Sequence, residues 1–384
     1  MKELYAEILD SFKAELNIYK NHIPLKERNK DLVFIITSQF LTLEHGPTKT
    51  TLDRAVNLCK YFDKQVIIIN AADLSPIVDG KPFYNLKSGN IFDEYSEKSG
   101  FSVEDGLVFQ FYQPKKPMPN IDEIKKIINS VIQYKPYFIL NIGETLISDL
   151  CSLFVPTIAQ TTVPSRVPLT FNTFSVVGNP KLKLTENMIL SIFTFWYKPQ
   201  THTYKKSDFS LPEDKFLIIV SGGRLTEEVT YDFLYEIREI FNYNAHIVFA
   251  GAFDTYEQII SKDNVLKENT TFLGFQDDML AVTELCDLYI NPPRIGGGTS
   301  IAEALSKGKP AVTLNFGDCS ISAGEDFCVE TLSEMKDMII KYITDTKFYT
   351  EMSKKALKRN ELLTDTKKSL EHIITSVENS KLWW

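Results

Sequence analysis

Short apolar runs rich in valine, isoleucine and phenylalanine alternate along the chain with longer segments whose apolar residues recur at helical spacing. Buried parallel strands have such continuous runs, and the helices that cross between them have the longer pattern. The alternation therefore predicts an α/β fold. In the first half of the chain it predicts strands at residues 33–38, 65–70, 106–112, 137–143 and 155–162.

A second series of strands follows a polar stretch at residues 201–215, where apolar density falls and Pro212 interrupts the sequence. Such a stretch is typical of a linker, so we place a domain boundary between residues 207 and 208. The strands predicted beyond it are 215–221, 245–251, 270–275, 288–292 and 311–316. The predicted helices are 227–242, 255–262, 277–286 and one that begins near residue 299.

These elements predict two successive Rossmann-like, doubly wound domains. The N-terminal domain spans residues 1–207 and the C-terminal domain spans residues 208–346, while residues 347–384 form a helical segment that packs back across the domains. Because Trp383 and Trp384 are costly to leave in water, we expect the end of this segment to dock on the protein.

The composition, with 43% apolar and 24% charged residues, is typical of a soluble globular protein. A net charge of −8 disfavours a broad grip on nucleic acid. The five cysteines are scattered, with no Cys-x-x-Cys pair, which predicts no metal site and a reducing, cytoplasmic location. We find no signal peptide and no apolar run near the roughly 18 residues of a membrane span, although a peripheral membrane contact remains open.

Residues 287–314 carry the strongest chemical signal: a buried strand, a Pro-Pro turn, three glycines, a Thr-Ser helix start and another strand. A glycine loop at the carboxyl end of a strand lets a ligand approach the main chain, and the following helix N-terminus favours an anion such as a diphosphate. Glu303 lies about one turn into that helix, where a carboxylate can bind ribose hydroxyls. The alternative is a purely structural turn in which Thr299 or Ser300 caps the helix and Glu303 completes a capping box.

Residues 270–314 resemble the nucleotide-sugar domain of GT-B glycosyltransferases, in which two Rossmann-like domains face a cleft. In that superfamily a Gly-Phe or Gly-Tyr dipeptide, an Ala-Asp or Cys-Asp pair, a glycine loop and a ribose-binding glutamate follow one another, and Cys286 and Asp287 match the pair. The sequence Val-Ser-Gly-Gly-Arg-Leu at 220–225 matches the place where glycines and a basic residue contact the donor diphosphate. The resemblance implies a nucleotide-sugar site made of Gly222, Gly223, Arg224, Gly274, Phe275, Gln276, Arg294, Gly296, Gly297, Gly298, Thr299, Ser300 and Glu303.

The sequence departs from the large retaining family with an E-x7-E motif at two places. Ile295 stands where that family has its first glutamate, and the usual Lys-Gly after Arg224 is replaced by Leu-Thr-Glu-Glu. The Gly-Gly-Gly-Thr-Ser sequence is closer to the donor loops of enzymes similar to O-linked N-acetylglucosamine transferases. The standard retaining mechanism is therefore not implied.

The first strand leads into a loop, His45-Gly46-Pro47 and a predicted helix. In GT-B enzymes this loop faces the cleft, so an acceptor or a sugar phosphate is expected near Gly46 and Thr48. His45 is a candidate general base or a neutral hydrogen-bond donor, and Glu44 is the rival acid-base residue. Glu144, at the end of a later strand, is a further acceptor-side candidate.

The resemblance implies a hexosyl- or N-acetylhexosaminyltransferase that uses a nucleoside diphosphate sugar, UDP rather than GDP, and no other cofactor or metal. Its acceptor is a glycan, a lipid-linked glycan or a protein, and domain closure would accompany catalysis. Homo- or hetero-oligomers remain open. Two alternatives are a UDP-sugar epimerase and a non-catalytic GT-B-like subunit that binds glycan or stabilises a partner transferase. Ile295, which stands in place of the first glutamate of the E-x7-E motif, favours the non-catalytic subunit.

Overall fold

The structure, a computed structural model, describes residues 2–43, 45–73, 92–95, 97–103, 106–116 and 118–383. The chain divides into two compact units. The N-terminal unit contains residues 1–196 and 365–384, and the C-terminal unit contains residues 197–364. Each unit is built on its own mainly parallel sheet, so the predicted pair of doubly wound α/β domains is confirmed.

The N-terminal unit has an eight-stranded sheet among its described residues, in the order β3-β4-β2-β1-β5-β6-β7-β8. Neighbouring strands pair in parallel except β3 and β4, which are antiparallel. The strands are β1 Asn29–Thr37, β2 Gln65–Asn70, β3 Gly100–Ser102, β4 Val108–Tyr112, β5 Pro136–Ile142, β6 Thr157–Gln160, β7 Phe174–Val177 and β8 Met188–Leu190. The helices of its first 196 residues are α1 Lys2–Leu16, α2 Gly46–Phe62, α3 Ile121–Tyr134 and α4 Leu146–Cys151.

Strand β1 shows why its sequence is apolar at almost every position. Val33 and Ile35 pack in one apolar cluster with residues of α2, whereas Phe34 and Ile36 pack in a second cluster with α1, α3 and α4. Successive side chains of a strand point to opposite faces of the sheet. Both faces of this sheet are therefore covered by helices, as in doubly wound folds.

The C-terminal unit has a six-stranded parallel sheet in the order β11-β10-β9-β12-β13-β14. Its strands are β9 Phe216–Gly222, β10 Ala245–Gly251, β11 Thr270–Phe272, β12 Leu288–Ile290, β13 Ala311–Leu314 and β14 Cys328–Val329. Its helices are α5 Leu225–Glu228, α6 Tyr231–Ile237, α7 Tyr256–Ile260, α8 Asn264–Glu268, α9 Met279–Glu284, α10 Gly298–Ser306, α11 Gly317–Ala323, α12 Leu332–Thr344 and α13 Thr346–Thr364. In chain order this is the 3-2-1-4-5-6 arrangement of a Rossmann fold, with the strand order reversing between β9 and β12.

Several predicted elements differ from the structure. The predicted helix 227–242 is divided into α5, α6 and a 3-10 helix at Arg238–Tyr243, because Thr230 accepts a hydrogen bond from the Phe233 N–H and begins a new helix. The predicted strand 270–275 ends at Phe272, where the chain turns toward Gly274 with a φ of +67°. The short strands β3, β7, β8 and β14 were not predicted.

The unit boundary lies earlier than the predicted one, between residues 196 and 197. The polar stretch after it is held to the C-terminal unit by Asp278 at the start of α9. Its carboxylate accepts the N–H of Thr201 at 2.6 Å and that of His202 at 2.8 Å. The polar composition that suggested a linker therefore belongs to a segment that is bonded to the C-terminal unit.

The predicted tail, 347–384, is shared between the two units. Helix α13 belongs to the C-terminal unit, where Arg359 donates hydrogen bonds to the carbonyls of Ser322 and Ile321. Helix α14, Thr366–Glu378, returns to the N-terminal unit. Trp383 docks there against Tyr137, with ring centroids 5.1 Å apart, whereas Trp384 lies outside the described residues.

Candidate active site

The C-terminal sheet reverses its strand order between β9 and β12, and two predicted loops follow the carboxyl ends of these strands. Gly222 ends β9, and the segment from Asn291 to Gly297 connects β12 to α10. Leu288 and Tyr289 of β12 pair with Ile218 and Ile219 of β9. The structure therefore brings the Gly-Gly-Arg loop and the glycine loop together at the point where open α/β sheets bind ligands.

Arg294 lies buried beneath these loops and is bonded through all three guanidinium nitrogens. Its Nε donates to Asn291 Oδ1 at 2.7 Å, and its Nη1 to Glu228 Oε2 at 2.5 Å. Its Nη2 donates to the Ser221 carbonyl at 2.8 Å and to the Tyr289 hydroxyl at 2.9 Å. The predicted donor-site residue Arg294 thus ties the ends of β9 and β12 to helix α5.

The glycines above Arg294 are needed for close approach. A Cβ at Gly222 would collide with Arg294 Nη1. At Gly297 a Cβ would lie 2.7 Å from Arg294 Nη2 and from Asn291 Oδ1, and this residue has a φ of +98°. The loop therefore lies directly on the arginine network with no room for a side chain at either position.

Helix α10 begins at Gly298 with Gly297 as its N-cap. The alternative in which Thr299 or Ser300 caps the helix is therefore wrong, because both residues lie inside the first turn. Gly297 has no side chain that could cap the first-turn amides. These amides and the positive end of the helix dipole are suited to an anion at this loop.

Arg224 is the exposed cation of the site. It is the N-cap of α5, and its side chain is 71% exposed. Its Nε and Nη2 both lie 3.1 Å from Glu228 Oε1. A Cβ at Gly296 would be 3.0 Å from Arg224 Nη2, which shows that the guanidinium reaches the glycine loop. Gly223 beside it has open space around its Cβ position.

The segment Gly274 to Gln276 follows β11 at the same edge of the sheet. The Gly251 N–H donates to the Gly274 carbonyl at 2.8 Å, and the Ala252 N–H donates to the Gly222 carbonyl at 3.1 Å. Gln276 Nε2 donates to the Leu273 carbonyl at 2.6 Å, whereas the ring of Phe275 is 76% exposed. A hydrogen-bonded main chain thus links this segment to the loop after β9.

Glu303 lies in the second turn of α10 and is half-buried. Burial, and then the negative charge of Glu303, raise the pKa of the Tyr197 hydroxyl. That hydroxyl donates a hydrogen bond to Asn360 Oδ1 at 3.2 Å. Glu303 lies on the same short helix as Gly298, Thr299 and Ser300, and its role as a ribose-binding residue stays a prediction.

In the N-terminal unit the strand order reverses between β1 and β5, and the acceptor-side candidates follow these two strands. His45 is the N-cap of α2, and its Nδ1 lies 3.1 Å from Thr48 Oγ1. Burial, and then the charge of Lys49, lower the pKa of His45. Thr48 is fully buried and accepts the Leu41 N–H at 2.8 Å, so it fixes the loop. Gly46 is exposed with open space around it, and Glu44 lies outside the described residues.

Glu144 is buried and engaged within the same unit. One carboxylate oxygen accepts from Arg166 Nη2 at 2.8 Å and the other from the Leu169 N–H at 2.7 Å. Burial raises its pKa, and both Arg166 and the Leu169 N–H act in the opposite direction. Its contacts hold the segment that follows β6.

Comparison with known proteins follows the same division of the chain. Residues 203–359 match the family model for glycosyl transferases group 1. The fold is similar to that of a glycosyltransferase from Rickettsia africae, with a TM-score of 0.65 and 12% identity over 91% of this chain and 98% of that one. The chain has the GT-B fold, and its match to the group 1 family covers residues 203–359.

Two further solved structures have a similar fold. The O-GlcNAc transferase of Thermobaculum terrenum has a TM-score of 0.63 at 10% identity, covering 95% of this chain and 70% of that one. HepE from Anabaena in complex with UDP has a TM-score of 0.59 at 15% identity, covering 91% and 99%. No curated protein matches the sequence.

The residues of this site that sequence reasoning missed are the partners of Arg294. Glu228, Asn291, Tyr289 and the Ser221 carbonyl surround a guanidinium that the sequence placed at the ligand. One signal was available, because Glu228 stands four residues after Arg224, the spacing of a helical ion pair. The contact of Glu228 with Arg294 depends on the fold and has no sequence signal.

Two features are absent from the described part of the chain. No group of three or more His, Cys, Asp or Glu side chains there is placed to hold a metal ion. No helix there is both long enough and apolar enough to pass through a bilayer.

Proposed function

We propose that the chain transfers a sugar from a UDP-sugar to a hydroxyl of a glycan, lipid-linked glycan or protein. One observation carries the proposal: Arg224, the glycine loop and the start of α10 lie together where the C-terminal sheet reverses its order. A cation, uncapped amides and a helix dipole at one place suit a diphosphate. HepE, which has the same fold, was solved with UDP and with UDP-glucose.

The proposed chemistry is displacement at the anomeric carbon. The bond from that carbon to the β-phosphate oxygen breaks and its electron pair stays on UDP. The acceptor oxygen bonds the carbon, and its proton passes to the departing β-phosphate or to water. Negative charge develops on the departing diphosphate, so Arg224 and the first-turn amides of α10 act where the transition state needs them. Glu303 would hold the ribose, and Gly274 to Gln276 the base.

In this proposal His45 donates a hydrogen bond to the sugar donor from a neutral imidazole ring. Thr48 Oγ1 already accepts from the Leu41 N–H, so its own proton is available to the Nδ1 of His45. An imidazole that accepts at Nδ1 carries its proton on Nε2. Of the two roles left open by the sequence, this arrangement favours donation of a hydrogen bond over abstraction of a proton.

A cytoplasmic location is part of the same proposal, because the five cysteines are free thiols.

Isothermal titration with UDP and GDP tests the donor site. Wild type should bind UDP more tightly than GDP, and Arg224→Ala and Glu303→Ala should each weaken UDP binding by about tenfold or more, the loss expected for one charged hydrogen bond. Glu257→Ala, an exposed carboxylate on α7, is the matched control and should bind as wild type does. Unchanged affinity in both site variants would remove the assignment.

A second candidate is a non-catalytic GT-B subunit that retains nucleotide binding. It is favoured by Ile295, which is 65% exposed where the E-x7-E family has its first glutamate. A screen of UDP-sugars for hydrolysis and for transfer, read by mass spectrometry, separates the two. UDP binding without any product, together with stable association with another transferase, supports the subunit, whereas isomerised UDP-sugar without acceptor supports an epimerase.

A further inference from the structure

A single carboxylate lies between the two arginines of the donor site. Glu228 contacts Arg224 through Oε1 and Arg294 through Oε2. We infer that Glu228 is a positioning residue that holds Arg224 at the glycine loop and uses the buried Arg294 as its anchor. The inference rests on the proposed binding of a nucleoside diphosphate, and it assigns to Glu228 the positioning of Arg224 before that ligand binds.

Arg294 has the properties of an anchor. Its side chain is buried, its charge cannot be lost by deprotonation, and its partners come from the ends of β9 and β12. Its guanidinium lies under Gly222 and Gly297, which have no side chains above it. Its position is therefore set by the sheet, and its nitrogens are already bonded to protein atoms rather than open to a ligand.

Glu228 is fixed by that anchor. Its carboxylate lies 2.5 Å from Arg294 Nη1, and its side chain is 12% exposed. Helix α5 has only four residues, so the helix alone restrains this side chain little. A charged contact with a buried, fully bonded guanidinium provides the restraint instead.

The side chain that Glu228 restrains is that of Arg224. Without a partner, a side chain that is 71% exposed would sample many rotamers. The contact of Nε and Nη2 with one oxygen of Glu228 selects conformations in which the guanidinium reaches Gly296. A ligand then binds a cation that is already in place, which avoids part of the ordering cost.

The three side chains together retain one positive charge, because Glu228 offsets one of the two arginines. Arg224, the exposed cation at the glycine loop, is thus restrained by a carboxylate.

The test compares UDP with uridine, which lacks the phosphates. Glu228→Asp keeps the charge but is one methylene shorter, so it cannot contact both arginines as Glu228 does. We expect Glu228→Asp to weaken UDP binding by about tenfold in titration calorimetry and to leave uridine binding unchanged. Glu227→Asp, the same change at the exposed neighbour, is the control. In an Arg224→Ala background, Glu228→Asp should cause no further loss.

Each outcome is decisive. If Glu228→Asp loses equal affinity for UDP and for uridine, Glu228 only maintains the structure. If it loses as much further UDP affinity in the Arg224→Ala background, it does not act through Arg224. Either result overturns the inference. Tighter UDP binding in Glu228→Asp would show that the carboxylate competes with phosphate, which also overturns it. If wild type binds no UDP, the proposed function fails first.

Arg224→Lys gives a second test if Glu228→Asp does not fold. It leaves the pair of Glu228 with Arg294 intact and keeps a positive charge at position 224, but an ammonium cannot make the two-nitrogen contact with Glu228. We expect its UDP affinity to fall clearly below that of wild type, toward the level of Arg224→Ala, while uridine binding is retained. Wild-type UDP affinity in Arg224→Lys would overturn the inference.

Discussion

Individual ionisable side chains at the carboxyl edge of the N-terminal sheet are perturbed by burial, and each has a specific local cause. His45 is desolvated beside Lys49, Glu144 is buried against Arg166, and Asp73 is buried against the start of α4. Perturbed groups gather at functional sites, but they also arise where a carboxylate fixes a loop. Titration experiments on His45 and Asp73 separate these two roles.

The role of His45 can be tested by its pH dependence. The lowered pKa keeps the ring neutral to below the usual value of about 6.5, so any acid limb of transfer activity that His45 causes should lie below that pH in either role. His45→Gln keeps an N–H donor and should retain about tenfold more activity than His45→Ala. Initial rates with a UDP-sugar from pH 5 to 8 measure both. Equal inactivity of both variants would indicate a general base, and an acid limb above about 6.5 would contradict the lowered pKa.

Asp73 makes stability depend on pH. Burial is the main cause that raises its pKa to about 8, although its Oδ2 accepts the Leu146 N–H at 2.9 Å. Because the folded pKa exceeds the unfolded one, the folded state holds the proton more tightly. The stability that this contributes is complete below about pH 4 and is lost as pH rises to about 8.

Asp73→Asn cannot ionise and keeps an oxygen for the Leu146 N–H. Its melting temperature relative to wild type should therefore rise between pH 5 and pH 8 by at least about 2 °C, the shift produced by roughly 1 kcal/mol. Thermal unfolding followed by circular dichroism measures this. Asp10→Asn, at an exposed aspartate of α1, should show no such trend. A constant difference across the pH range would contradict the raised pKa.

At the scale of elements, the sequence predicts best where a segment is long and buried on both sides. Strands β2, β5, β9 and β10 agree with predicted runs to within one residue at each end, because their apolar residues reflect burial on two faces. The strands it misses have two to four residues, too few to show a pattern. Short strands depend on pairing with a neighbour, and a local sequence pattern does not report that pairing.

The same limit applies to the candidate site. The glycine loop and Glu303 were predicted from the order of strand, loop and helix, which is a local property of the sequence, and Arg224 from the resemblance to GT-B glycosyltransferases. Arg294 was placed at the ligand because it lies in the loop, whereas it is bonded to Glu228, 66 positions away along the chain. Its role depends on which strands become neighbours, and only the folded sheet decides that.

Gly297 tests how tightly the loop and the network are coupled. In Gly297→Ala the new Cβ meets Arg294 and Asn291, and the residue must keep a φ of +98°. We expect a loss of about 1–3 kcal/mol in the free energy of unfolding. Gly223→Ala, where the Cβ meets open space and no positive φ is required, should lose less than about 1 kcal/mol. Urea unfolding measures both, and equal losses would contradict the close packing over Arg294.

At the scale of the whole molecule, the chain leaves the N-terminal unit at residue 196 and returns to it at residue 365. Helix α14 is thus the last major element of the unit that the chain began. Leu370, Ile373, Ile374 and Val377 are buried in the same cluster as Leu58 of α2, and Thr366 donates to Asp53 Oδ2 at 2.7 Å. The N-terminal unit is complete only when the final residues of the chain are in place.

Ile373→Ala tests this dependence, because the side chain is 1% exposed in the cluster. Removing its methyl groups should lower the free energy of unfolding by about 2–4 kcal/mol. Since the cluster belongs to one unit, hydrogen exchange should accelerate at amides of β1 and α2 while β9 and β10 keep their protection. Glu371→Ala, at an exposed neighbour on the same helix, should leave both unchanged. Equal acceleration in both units would mean that the chain unfolds as one cooperative body, whereas no acceleration would mean that α14 contributes little to the unit it joins.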